Sequence, residues 1–229
     1  MSAAPDLRLR PPFSAILYGA SQSGKTTFLA SLLRVRHNII SEPVGKIYYF
    51  YNTHSALFDE LEEEHGISFI RGVVDMEWLE ENIGLPGKRK SADLDEGCPL
   101  IIVDDQGLAV SESTQNVFTV GVHHYHLALF FCCHAVFTNR PEHRIIGQNA
   151  NYIQVFKNAR NYGTVSALAR QIDPGRRSGR LVRIYQDACR KPFSYLFIDC
   201  TQLCPEDYRL RSNILFEDGE PCVIFKRHN

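Results

Sequence analysis

The chain has 229 residues, 44% of them hydrophobic, enough to bury one sizeable core and only slightly more than a typical single domain holds. Its 25 basic and 26 acidic side chains nearly cancel, so no global field draws it to nucleic acid or to an acidic membrane, and any polyanion has to be gripped locally. No apolar run approaches the roughly 18 residues of a membrane span, the start of the chain lacks the apolar core of a signal peptide, and the seven cysteines lack the paired spacing of a disulfide framework, which together predict a soluble, intracellular protein with reduced thiols.

Short apolar runs rich in β-branched and aromatic residues alternate with helical patterns, the signature of a mainly parallel sheet covered by helices. The first run, residues 13–18, reads as a strand and leads into Gly19-Ala20-Ser21-Gln22-Ser23-Gly24-Lys25-Thr26, which fits G-x-x-x-x-G-K-[ST]. Two glycines let the backbone curl so that successive amide protons, and the start of a helix over residues 25–35, face the phosphates of a nucleotide. Lys25 is placed to reach the β- and γ-phosphates and the Thr26 hydroxyl to ligand magnesium, while Thr27 continues the helix. With glycine near 7% of residues, the four fixed positions arise by accident in roughly one such chain per hundred, and the strand and helix flanks make accident rarer. The ligands this loop predicts are ATP and Mg²⁺.

Residues 46–51 and 67–71 read as the next strands, and residues 55–64 and 76–82 as helices, with Thr53 and Asp75 as N-caps for the unpaired amide protons of each first turn. Residues 84–97, with Pro86 and the Lys88-Arg89-Lys90 cluster, read as a mobile loop inserted within the domain. The buried run at residues 100–103 ends in Asp104-Asp105. A magnesium-side carboxylate belongs at the tip of a strand near the phosphate loop, so Asp104 is the expected ligand, acting through water. Asp105 projects to the opposite side and is the expected base, orienting or deprotonating the attacking water. The bland alternative is an acidic pair that ends a strand and opens a turn. Other strand candidates lie between the loop and this run, which suits the branch of P-loop proteins that inserts strands between its two phosphate-handling segments. The expected fold is therefore α/β, a single RecA-like P-loop NTPase domain of the additional-strand type.

A helix over residues 114–124 and a strand over residues 127–133 follow, with Cys132 and Cys133 as small buried hydrophobes. His134, at that strand's tip, is a candidate sensor of the γ-phosphate, although a histidine there is more often an ordinary solvated side chain. Residues 152–156 and 194–198 read as strands, residues 165–172 as a helix capped by Thr164, and residues 214–216 and 222–225 as a terminal hairpin. Arg140, Arg144 and Arg160 are candidates for a cation that neutralises transition-state charge in a neighbouring subunit, Arg160 being preferred. His123, His124, His126, Cys132, Cys133 and His134 lack the two-plus-two spacing of a structural zinc site. The basic stretch from Arg176 to Arg180 reads as solvated surface, like the cluster at Lys88.

The sequence resembles the FtsK/HerA-type genome-packaging ATPases of double-stranded DNA viruses, especially those of polinton-like viruses, adintoviruses and the poxvirus type. The resemblance runs over most of the chain. It is carried by the phosphate loop continuing through Thr27-Phe28-Leu29, by Ile101-Ile102-Val103-Asp104-Asp105 and by Phe118-Thr119-Val120-Gly121-Val122-His123-His124. The later and more specific segments are Asn149-Ala150-Asn151-Tyr152-Ile153-Gln154-Val155-Phe156-Lys157-Asn158-Ala159-Arg160-Asn161, Leu168-Ala169-Arg170-Gln171 and Arg209-Leu210-Arg211-Ser212-Asn213-Ile214. The resemblance implies a homo-oligomeric ring that uses ATP to drive viral double-stranded DNA into a preformed capsid, with capsid or other virion proteins as partners, inside the host nucleus or cytoplasm and in the virion. The chain departs from the relatives at His134-Ala135, where they typically carry Gln-Asn, and at Ala159, where proline is common. Two other readings stay open: a small-molecule or nucleotide kinase, for which residues 176–183 offer an arginine-rich lid, and a nucleotide-binding assembly protein with little hydrolysis. No Asn-Lys-x-Asp guanine reader is present.

Overall fold

Apolar runs too hydrophobic to face water on either side become the centre of a sheet. A computed structural model describes residues 5–84, 97–104, 112–134, 141–160, 162–172, 179–216 and 219–226. In chain order the elements are β1 (Phe13–Tyr18), α1 (Lys25–Ile39), β2 (Val44–Tyr51), α2 (Ala56–His65), β3 (Ser68–Arg71), α3 (Met76–Asn82) and β4 (Cys98–Val103). There follow α4 (Glu112–Asn116), a π-helical turn (Val117–Gly121), α5 (Val122–His124), β5 (Ala128–Cys133), α6 (Pro141–Asn149), β6 (Tyr152–Phe156), α7 (Tyr162–Ile172), α8 (Gly179–Ala188), β7 (Tyr195–Asp199), β8 (Leu210–Ser212) and β9 (Val223–Ile224).

The nine strands form one sheet in the order β3-β2-β4-β5-β1-β6-β7-β8-β9. Pairing is parallel from β3 to β6 and antiparallel from β6 through β9. β5 is the strand inserted between β1 and β4, as the additional-strand reading expects. Successive residues point to opposite faces, so the sheet separates two cores. Phe13, Leu17, Tyr49, Ile102 and Phe130 pack with α1 residues Leu29 and Leu32 on one face. Ile16, Phe50, Val103 and Phe131 pack with Phe118, Val165, Leu168 and Leu181 on the other. Cys132 and Cys133 are both buried. The antiparallel wing is tied by a buried ion pair, Arg211 to Asp199 at 2.9 Å, with the guanidinium also donating to Leu7 O at 2.7 Å. Among the described residues no helix is long and apolar enough to cross a membrane.

Several expectations are corrected. Ser55, not Thr53, caps α2, accepting from Leu57 N at 3.4 Å, because Thr53 stands too far ahead of the first turn; Asp75 does cap α3, accepting from Trp78 N at 2.8 Å. Thr164 lies inside α7 and its hydroxyl pairs with Tyr18 Oη at 3.2 Å. The terminal pairing joins β8 to β9, with Arg211 opposite Ile224, rather than residues 214–216 to 222–225. Asn213 adopts φ 52, which breaks the extended run and turns Ile214 and Leu215 into the α1-side core. α6 and α8 were not expected as helices. Asp105, Arg140, Arg176, Arg177 and most of the loop expected at residues 84–97 lie outside the described residues.

Candidate functional site

Three neighbouring parallel strands end on one edge of the sheet, and each delivers a piece of the site. β1 runs into the phosphate loop, β5 is followed by His134 and β4 by Asp104. The ladder sets their heights: Tyr18 pairs with Cys133, so Gly19 stands level with His134, and Val103 pairs with Phe131, so Asp104 stands level with Cys132. Gly19 N donates to Cys133 O at 3.2 Å, fastening the loop's first residue to β5.

The loop needs its glycines for distinct reasons. A side chain at Gly19 would put Cβ 2.4 Å from Ser23 Oγ and 2.9 Å from Phe156 Cβ, and Gly24 turns into α1 at φ 99, a left-handed conformation that disfavours side chains. Gly24 offers no side-chain cap, so the first-turn amides of the 15-residue α1 keep their positive end open to an anion. Lys25 is buried and donates to Gly19 O and Ala20 O, both at 2.9 Å. Ser23 Oγ is buried without a hydrogen-bond partner among the described residues. His134 Nδ1 lies 3.0 Å from Gly19 O and 3.4 Å from Lys25 Nζ. Donation to the carbonyl requires the proton on Nδ1, and in that tautomer the lysine contact is packing rather than a hydrogen bond.

Asp104 is 5% exposed and its Oδ2 accepts from two hydroxyls, Thr26 Oγ1 at 2.9 Å and Tyr49 Oη at 2.6 Å. Burial, then the Asp104 charge, hold the Tyr49 phenol far above its ordinary pKa, so it stays a neutral donor. The same two causes, in the same order, push up the Cys132 thiol. An uncapped helix start, a buried ammonium and an orphaned serine hydroxyl fit a triphosphate. The Thr26 hydroxyl and Asp104 carboxylate fit magnesium, a hard cation that takes oxygen ligands.

Gly19 to Thr27, Asp104 and His134 are thus brought together at one edge of the sheet. Arg160 follows β6 on a braced segment: Tyr185 Oη donates to Phe156 O at 3.0 Å and accepts from Asn158 N at 2.9 Å, and Asn158 Oδ1 accepts from Arg160 N at 2.9 Å. Its side chain is exposed, as is that of Arg144 on α6. Tyr49, which supports Asp104, is not among the residues the sequence singled out. The available signal was a tyrosine inside a run too apolar to be solvated, whose hydroxyl needs a buried partner.

No family model and no curated protein sequence matches the chain. Among solved structures, it is similar to B204, the DNA-packaging ATPase from Sulfolobus turreted icosahedral virus, with a TM-score of 0.51 at 11% identity over 96% of this chain and 100% of that one. It is also similar to the cytoplasmic domain of the type VII secretion ATPase EccC from Thermomonospora curvata, with a TM-score of 0.52 at 16% identity over 93% of this chain but 25% of that one. The strand order and both likenesses give this chain the fold of these two ATPases, a mainly parallel α/β sheet flanked by helices with the phosphate loop following β1.

Proposed function

We propose that the chain is an ATP-hydrolysing motor that packages viral double-stranded DNA into a capsid, acting as a homo-oligomeric ring. The observation that carries the enzymatic part is the hydrogen bond from Thr26 to Asp104, which joins the phosphate loop to the β4 tip beside Lys25. The packaging part is supported by the resemblance of the sequence segments from Asn149 onward to viral packaging ATPases and by the end-to-end likeness in fold to B204, itself a DNA-packaging ATPase. Such a protein works inside the host cell, with capsid or other virion proteins as partners.

Each residue has a task in that reading. Lys25 leaves the carbonyls of Gly19 and Ala20 for the β- and γ-phosphates, exchanging neutral acceptors for charged ones. The amides from Ala20 to Thr27 hold the phosphates in place. Thr26 and Asp104 would hold magnesium, whose charge neutralises that developing on the phosphate oxygens. Asp105 orients or deprotonates the attacking water. His134, in contact with the carbonyl of Gly19, reports loss of the γ-phosphate to the β5 tip. Arg160, exposed on its braced segment, supplies positive charge to a neighbouring copy's site.

The test is ATP turnover with and without double-stranded DNA across salt concentrations, for the wild type, Lys25→Ala and Asp105→Asn. DNA stimulation that fades with salt, abolished in both variants, is expected. Turnover that ignores DNA and requires a small phosphate acceptor would instead make the protein a kinase, and unchanged rates in both variants would end the enzymatic reading.

A further inference from the structure

We propose that Phe193 is the platform on which the base of the bound nucleotide stacks, an assignment that rests on the nucleotide reading of the phosphate loop. Phe193 closes the turn Lys191-Pro192-Phe193-Ser194 between α8 and β7. It adopts φ 60, a left-handed conformation costly for a bulky side chain, and the residue is 67% exposed. Neither feature serves a core. The turn is nonetheless well held: Ser194 Oγ donates to Lys191 O at 2.6 Å, Lys157 N to Ser194 O at 2.9 Å and Lys157 Nζ to Arg190 O at 2.7 Å. A strained backbone that its surroundings hold in place, presenting an apolar ring to solvent, points to a ligand.

Position says which ligand. β7 runs antiparallel to β6, so its first residue lies at the edge where β6 ends, the same edge that carries the phosphate loop. A Cβ built on Gly24 would meet Phe193 Cβ at 3.3 Å and Cδ1 at 3.5 Å, so the ring stands directly against the loop's last glycine. Asp104 and His134 lie on the β4–β5 side of the loop, where the metal and the terminal phosphate go. The nucleoside end therefore departs on the opposite side, toward β6 and β7, and meets Phe193. Stacking engages the face of a base and reads none of its edges, so the platform accepts adenine and guanine alike.

The experiment is calorimetric titration of the full chain with MgATP, MgGTP and inorganic tripolyphosphate, for the wild type, Phe193→Gly and Phe193→Trp. Glycine removes the ring and also relieves the left-handed strain, so the thermal midpoint should hold or rise and certify the fold. Loss of stacking should weaken MgATP and MgGTP by about tenfold or more, leave tripolyphosphate unchanged, and spare the tryptophan variant. Unchanged MgATP affinity in Phe193→Gly, or equal weakening of MgATP and tripolyphosphate, would overturn the platform while leaving the phosphate site intact. A wild type that binds neither ligand would remove the nucleotide reading and the platform with it.

Discussion

Tyr49→Phe isolates the support beneath the expected metal ligand. The ring keeps its contacts with Phe58 and Phe69, at centroid distances of 5.0 and 5.1 Å, so the core stays filled and only a hydroxyl is lost. That hydroxyl donates at 2.6 Å to a carboxylate that is 5% exposed. Hydrogen bonds to charged groups contribute about 1.5–3 kcal/mol, and Thr26 still donates to the same oxygen, so the loss should sit near the lower end, about 2 kcal/mol. For a chain of this size that lowers Tm by about 4–8 °C. Asp104 also loses one of the two hydroxyls that aim it, so the magnesium concentration for half-maximal ATP turnover should rise, while ATP binding without metal stays as it was. Thermal melts and a magnesium titration check both. If neither Tm nor the magnesium dependence moves, Tyr49 does not position Asp104.

Asp199→Ala strands a buried guanidinium at Arg211, which costs about 3–5 kcal/mol, and melting curves should show it; making both positions apolar should recover most of the loss. Gly19→Ala forces Cβ to 2.4 Å from Ser23 Oγ, an overpacking of about 1–3 kcal/mol that distorts the loop, so ATP titration should show at least about tenfold weaker binding. Burial, and next the Arg36 guanidinium 3.4 Å from Nδ1, hold the His65 pKa below its ordinary value. The unfolded chain therefore binds a proton near about pH 6.5 that the folded chain refuses until lower pH, and stability falls as pH drops through that window. His65→Gln should flatten the dependence of Tm on pH between about 7 and about 5.

Much of the fold and of the candidate site was open to sequence reasoning because the signals were local. The bounds of β1, β6 and α3 follow directly from apolar runs and a cap, and the loop and Asp104 sit where a strand must stop. What escaped was decided by partners distant in the chain or by backbone twist. Tyr49 shows its face by alternation, but nothing local says that Asp104, 55 positions later, stands beneath it. Thr53 and Ser55 are both competent caps, and the choice depends on where the helix begins. Arg176, Arg177 and Arg180 masked the onset of α8, although Leu181, Val182, Ile184, Tyr185 and Ala188 form its apolar side. Nothing in Pro192-Phe193 announces a left-handed ring beside the loop.

The ladder joining β4, β5 and β1 carries a mechanical consequence. Backbone N–H and C=O groups point alternately to the two sides of a strand, so the smallest slip that restores the ladder is two residues, and it would first tear every hydrogen bond between neighbours. The ladder therefore resists any change in the spacing of carboxylate, histidine and loop. In the proposed motor, work would have to leave through rigid rotation of the whole slab or through the segments at its rim, with the sheet serving as anvil rather than spring.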